Sequence, residues 1–357
     1  MKIAFFLTGH GFGHGVRSAA LMEKISSEIQ IDIYTSLPEN FFAEELHRPY
    51  EVIACEIDCG CLQTDTITVD VEATLKRYSE LNSNRTTFIG HYAKILKERG
   101  TDLIIGDIPP LAFPIAKAAG IPAWSFCNFD WVDIYRPYLA EFPEYQNLVR
   151  QMEADYSLAD HRIRFFPEMT RSELPPYQKV GMVCRPGQSR REEFAEQFGL
   201  NPQKKWGLIY VGSFGLEGVA WNRLSEFSEW EFLGLYQLDH APENYHQIKK
   251  NPHFRYADLT ASSDLVIGKL GYGLVTECLS LGKPVLFLGR KDFAEFDLLK
   301  NLLLARNMGL EINLQAFLRL DIADALKALT ARNFEALQAT GVGNILKILN
   351  LNGLILN

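Results

Sequence analysis

The sequence has no surplus of positive charge: 36 Lys and Arg stand against 44 Asp and Glu, a net charge of −8. That balance speaks against nucleic acid and against broad contact with an anionic membrane, while local basic pockets and peripheral membrane contact stay open. Long apolar runs are missing too. The opening MKIAFFLTGH has one lysine and a short apolar stretch before the glycines, so neither a signal peptide nor a spanning helix is expected, and the expected compartment is the cytoplasm. Only six cysteines occur in 357 residues. Cys55, Cys59 and Cys61 lie close together, but no second Cys/His pair completes a four-ligand zinc site, so the cluster reads as reduced thiols and no metal is expected. A P-loop is absent because no Gly-Lys-Ser/Thr follows a glycine-rich turn. Solenoid repeats and low-complexity tracts are lacking as well.

What is present is a chain with 47% hydrophobic residues, enough for two packed cores. Apolar runs alternate with amphipathic stretches, the pattern of parallel sheets built from crossover units. Strands are expected at 2–8, 29–35, 50–55, 102–107 and 122–128, and again at 205–212, 230–238, 263–269 and 283–289. Helices are expected at 15–27, 71–98 with breaks, 110–119, 216–228, 272–281, 294–307 and 333–349. The stretch PPYQKVGMVCRPGQSRREE, rich in Pro, Gly and charge, is the linker candidate. The fold class is therefore α/β, with two Rossmann-like doubly wound domains facing each other across a cleft. Residues 1–184 form an amino-terminal domain, 185–330 a second domain, and 331–357 a helical segment that packs back across the cleft.

Two glycine-rich loops stand out. TGHGFGHGVRS, residues 8–18, follows the first strand and would lie at the sheet's carboxyl end, where glycines admit a ligand to the backbone. His10 and His14 lie in it, and imidazole suits proton transfer near neutral pH. Either histidine could be the base, and both could instead satisfy backbone groups in a tight loop. A dinucleotide fingerprint does not align, since residue 14 is His where the third glycine belongs, although Asp32 on the next strand keeps that reading open. Asp107, ending the fourth strand, could orient a protonated histidine or cap the helix expected at Pro109 or Pro110.

In the second half, Gly268, Gly271 and Gly273 precede a helix whose first-turn amides would face an anion, with Lys269 adding a full charge, so a diphosphate fits. Glu277 could accept from ribose hydroxyls or simply favour a helix start. Ser213, in YVGSFG, could approach phosphate or base. Arg290, Asp292, Glu295 and Asp297 cluster after another strand, as sugar-binding carboxylates or as a solvated loop. The aromatic run 124–145, with Asp130, Asp133 and Arg136, could line an acceptor pocket but reads better as core, and Gln63, Asp65 and Asp70 pose the same choice.

Together these residues resemble glycosyltransferases of the GT-B fold, metal-independent enzymes with nucleotide-sugar donors. Gly11, Gly13, His14 and Arg17 match a G-x-G-H-x-x-[PR] loop, and Lys269 through Pro284 match the donor signature of the UDP-glycosyltransferase group. TGHGFGHGVRS, DCGCLQTDTITVD, CNFDWVDIY and GKLGYGLVTECLSLGKP are also similar to the glycosyltransferase-like amino-terminal region of plant L-arabinokinases. The likeness does not reach their kinase portion, so sugar-kinase activity is not implied.

The resemblance implies transfer of a sugar from a UDP-linked donor to a hydroxyl acceptor, with inversion and without a cofactor. His14 would be the base with Asp107 as partner, and His10, Gly11, Gly13 and Arg17 would form the acceptor-side loop. Ser213, Gly268, Lys269, Gly271, Gly273, Glu277 and Glu295 would hold the donor, Glu277 at the ribose. Lys269 stands where the signature has histidine, and Glu295 and Phe296 replace an Asp-Gln pair, which leaves the donor sugar open. A UDP-sugar hydrolase or 2-epimerase and a non-catalytic nucleotide-sugar-binding protein are the alternatives on the same fold. The sequence does not set the oligomeric state.

Overall fold

The computed structural model describes residues 1–170, 176–211, 217–249, 253–351 and 353. Its first sheet holds β1 (Lys2–Leu7), β2 (Gln30–Thr35), β3 (Glu51–Ala54), β4 (Leu103–Asp107), β5 (Ala123–Cys127), β6 (His161–Phe165) and β7 (Gln178–Val180). They run parallel in the order β3-β2-β1-β4-β5-β6-β7. The second sheet holds β8 (Lys205–Tyr210), β9 (Trp230–Gly234), β10 (Tyr245–Gln247), β11 (Leu265–Lys269), β12 (Val285–Leu288) and β13 (Gly309–Ile312). It too is parallel, in the order β10-β9-β8-β11-β12-β13.

The central strands are apolar on both faces because crossover helices cover both sides of a parallel sheet. Ile3 through Leu7 are all buried, as are Leu103 through Ile105 on β4 and Leu265 through Ile267 on β11. In each sheet the chain winds outward in one direction, returns to the middle and winds outward in the other. The strand order therefore reverses between β1 and β4 in the first sheet and between β8 and β11 in the second. Crossover loops leave these two points in opposite directions, which opens a crevice beyond the strands' carboxyl ends.

By internal contacts the chain divides into two units. Met1–Leu62, Val69–Cys184 and Thr340–Asn357 form the first, and Gln63–Thr68 with Arg185–Ala339 the second. Residues 331–339 thus go with the second unit and 340 onward with the first, where the sequence had suggested a single segment. Residues 63–68 leave the first unit's chain path and are held in the second. Lys291 N–H donates to the Ile67 carbonyl at 2.9 Å, Thr68 makes a parallel bridge to Lys291, and Ile67 packs on the second unit's apolar cluster.

Several elements differ from the sequence reading. The first helix spans Phe12–Met22, so Gly13, His14 and Gly15 are helical and not part of a flexible loop. Tight packing explains part of the glycine content there: a Cβ on Gly15 would stand 2.4 Å from the Phe41 ring. The expected helix at 71–98 is two, Val71–Ser83 and Arg85–Glu98, broken at Asn84. The helix expected from Pro109 or Pro110 begins at Ala112 with no side-chain cap, so Asp107 does not cap it, and Gly120 ends it in the left-handed region at φ 71°. In place of a helix at 216–228 there is a short 3-10 turn, Trp221–Glu226, and the last helix is Gly341–Leu351. Among the described residues no helix is long and apolar enough to cross a membrane.

Candidate active site

In the first unit, β1 and β4 are neighbours at the switch point, and their register sets Leu7 opposite Asp107, with Thr8 N–H donating to the Asp107 carbonyl at 3.0 Å. The helix that follows β1 carries His14, Arg17 and Ser18. Spacings of three and four residues put these side chains on one helical face, directed at the end of β4. Asp107, 1% exposed, takes all three. Arg17 donates to it through Nε at 2.8 Å and also through Nη2, Ser18 Oγ donates at 2.9 Å, and His14 Nδ1 lies 3.2 Å from Oδ1. Arg17 Nη1 donates to Asn128 Oδ1 at 2.5 Å, and the guanidinium lies over the Phe165 ring.

Charge follows from this geometry. Burial alone would push the Asp107 carboxyl up, but the Arg17 charge and hydrogen bonds, with His14, hold it at about 2. His14 is lowered, by burial first and then by Arg17, against the raising effect of Asp107. A neutral imidazole is the form a base requires. Its Nδ1 lies between two groups of opposite demand. The 2.9 Å contact with Arg17 Nη2 is a hydrogen bond when Nδ1 bears a lone pair, and the 3.2 Å contact with Asp107 is one when Nδ1 bears the proton. In the latter tautomer Nε2 is the basic nitrogen. Arg17 does not extend from an acceptor-side loop as the sequence suggested: it is helical, 2% exposed and turned inward.

His10 serves a different structure. Its Nδ1 accepts from Cys61 N–H at 3.0 Å, which fixes the lone pair there and the proton on Nε2 in the neutral ring. The ring packs T-shaped against Trp131 with centroids 5.3 Å apart, Trp131 Nε1 donates to Asp58 Oδ2 at 2.8 Å, and Tyr135 donates to the Gly60 carbonyl. Asp58, which sequence reasoning had passed over inside a quoted motif, is pushed up to about 6 by burial, against hydrogen bonds from Trp131 and Thr8.

Other acceptor-side candidates are engaged by neighbouring groups of the protein. Asp130 and Asp133 form a capping box and both pair with Arg164, Asp70 caps the helix Val71–Ser83, and Arg136 pairs with Glu153. Asp32, the acid that kept a dinucleotide reading open, lies inside β2 and accepts from Arg99 at 2.7 Å. Its carboxylate is committed to that pair, so the ribose contact of a dinucleotide site is not offered there.

The second unit builds its site at the β8–β11 switch. Gly268 is required by close approach, since a Cβ would stand 2.1 Å from the Tyr210 carbonyl oxygen of the adjoining strand. Gly271 is the N-cap of the helix Tyr272–Leu281, with nothing within 4 Å of where a Cβ would stand and no side chain capping the first turn. Gly273 lies in that first turn. First-turn N–H groups of a helix, with room in front of the N-cap, are what an anion uses. Lys269, at the end of β11, donates from Nζ to Gln63 Oε1 at 3.1 Å, and burial followed by the Arg290 charge pulls it down to about 7, Asp65 opposing.

Glu277, on the same helix and 6% exposed, raises the nearby Tyr210 and Tyr256 hydroxyls after burial has done so. Glu295, 4% exposed, begins the helix Glu295–Ala305. Arg290 lies 3.6 Å over the Phe293 ring, and Asp65 closes its own turn by accepting from Ile67 and Thr68 N–H at 2.7 Å. Ser213 lies outside the described residues. Among the described residues no group of three His, Cys, Asp or Glu could hold a metal ion.

No family model matches the chain. It is 29% identical over 321 residues to L-arabinokinase of Arabidopsis thaliana, covering 87% of this chain and 30% of that protein. It is 31% identical over 121 residues to the UDP-N-acetylglucosamine–N-acetylmuramyl-(pentapeptide) pyrophosphoryl-undecaprenol N-acetylglucosamine transferase of Christiangramia forsetii, 31% of this chain and 33% of that one. The chain thus spans about a third of the length of these two relatives. Among solved structures it is similar to the glycosyltransferase VinC in complex with dTDP, with a TM-score of 0.64 at 14% identity over 93% of this chain and 92% of that one. Staphylococcus aureus MnaA with UDP gives 0.60 at 12% identity, over 99% and 97%. The chain has the GT-B fold. On this GT-B chain, His14 with Asp107 and Lys269 with Gly271 fall on the two switch points that the strand orders define.

Proposed function

We propose that the chain is a glycosyltransferase that moves a sugar from a nucleotide-sugar donor, UDP-linked, to a hydroxyl acceptor, with inversion and without a metal. The observation that carries this reading is the buried His14–Asp107 pair at the first switch point, its imidazole kept neutral and its Nε2 basic when Nδ1 donates to the carboxylate. Curated relatives and solved neighbours with glycosyltransferase names support it. In the step, the acceptor oxygen forms a bond to the anomeric carbon while the bond from that carbon to the diphosphate oxygen breaks. The bonding pair leaves on the diphosphate, and the acceptor proton passes to His14 Nε2. First-turn amides near Gly271 and Gly273, with the Lys269 ammonium, stabilise the departing charge without needing to reorganise.

Glu277 holds the ribose hydroxyls, Glu295 and Ser213 contribute to the donor, and Gly11 and Gly13 leave backbone open toward the acceptor. His10, with its proton on Nε2, supports the loop 58–61 and is not the base. One in-line attack assisted by one base inverts the anomeric carbon. The test is product analysis with UDP-sugars, with and without hydroxyl acceptors, in a chelating buffer. Transfer that needs an acceptor and that His14→Ala slows by orders of magnitude supports the reading; free sugar or a C2 epimer formed without acceptor overturns it in favour of hydrolysis or epimerisation.

A further inference from the structure

Gln63 lies on the six-residue stretch that belongs to the second unit, and its backbone is pinned there by the Ile67 and Thr68 contacts to Lys291. Its side chain is oriented by chemistry. While Lys269 carries its proton it has only N–H to offer, so the atom 3.1 Å from its Nζ is the amide oxygen and the amide nitrogen points the other way. That nitrogen is buried and makes no hydrogen bond among the described residues. A buried amide donor without a partner is unfavourable and calls for an acceptor that comes and goes.

The surroundings define that acceptor. Lys269 and Arg290 are the cations here, close enough for Arg290 to act on Lys269, and Asp65 is the acid whose charge opposes it, already occupied by two backbone N–H groups of its own turn. The N-cap Gly271 stands two residues from Lys269 with open space before it. Ammonium, guanidinium, amide N–H and helix amides are all donors, so the missing group is an acceptor-rich anion.

We propose that Gln63 is a further donor-binding residue, its Nε2 donating to a diphosphate oxygen of the nucleotide while its Oε1 holds the Lys269 ammonium in position for the same group. The assignment rests on the nucleotide-sugar reading above and extends it to a residue outside the glycine-rich signature.

The test is calorimetric titration of the full chain with UDP, inorganic pyrophosphate and UDP-glucose from pH 6 to 8.5, on wild type, Gln63→Leu and the near-isosteric Gln63→Glu, each checked for an unchanged thermal melt. Gln63→Leu should bind UDP and pyrophosphate about tenfold more weakly, the loss of one charge-assisted hydrogen bond. Wild-type affinity should fall as pH rises through 7, where Lys269 gives up its proton. Gln63→Glu should move that fall upward in pH, because a carboxylate keeps Lys269 charged, while weakening binding at every pH by repelling the anion. Unchanged affinity and pH profile in both variants, with wild type binding UDP normally, overturn the role of Gln63 alone. A deficit with UDP-glucose and none with UDP or pyrophosphate overturns the assignment to the diphosphate. Wild type that binds neither UDP nor pyrophosphate overturns this inference and the donor reading together.

Discussion

Arg17 grips Asp107 through Nε and Nη2, in a pair where both side chains are almost wholly out of water. Truncating one partner of such a pair strands the other charge. Arg17→Met should therefore cost about 3–5 kcal/mol of stability in urea unfolding, and Arg17→Lys should recover part of it, since a single ammonium cannot reproduce the two-pronged contact.

The acid limb of stability should carry the Asp107 signature. Its folded pKa of about 2 lies below that of the unfolded chain, so its contribution is present above pH 4 and is lost as pH falls from about 4 to 2. About 2 kcal/mol should disappear across that window. Asp107→Asn should lose most of this slope, read as urea midpoints at successive pH values.

Asp58 should act in the opposite sense. Its folded pKa of about 6 lies above the unfolded value, so the protonated folded form is favoured and stability falls as pH rises from about 4 to 6. Asp58→Asn keeps an oxygen for the Trp131 N–H and removes the buried charge. It should flatten that fall and be as stable as wild type or more so at pH 8.

These groups also show what the sequence could and could not tell. Two doubly wound parallel α/β domains followed from apolar runs alternating with amphipathic ones, and the pairing of His14 with Asp107 followed from placing both at the carboxyl edge of one sheet. The inward turn of Arg17 was hidden because a lone charge on a helix ordinarily faces water, and only the β4 terminus opposite reverses that. β6, β7, β10 and β13 were overlooked because they are three to five residues long, two of them as polar as HRIRF and QKV. Residues 63–68 carry no periodicity, so nothing local announces that they are held with the second unit.

The two histidines should separate kinetically. His14→Ala should lower turnover by about 10²–10⁴-fold, the usual contribution of a positioned base, with UDP affinity unchanged. His10→Ala, which removes the acceptor for Cys61 N–H, should show chiefly as lowered stability. A turnover loss confined to His10→Ala would reverse the assignment.

On the proposed reading, which sets Glu277 at the ribose and the phosphates on Lys269 and the helix amides, Glu277→Ala should weaken UDP binding and leave inorganic pyrophosphate binding intact. Equal loss for both ligands would place Glu277 in a structural role.

The most direct test of the whole account is a thermal-shift titration of the chain against UDP, GDP, ADP, dTDP and NAD, with Lys269→Met beside wild type. The account predicts a saturable rise in melting temperature that is greatest for UDP and shrinks in Lys269→Met. A rise with NAD alone, undiminished in Lys269→Met, would contradict it.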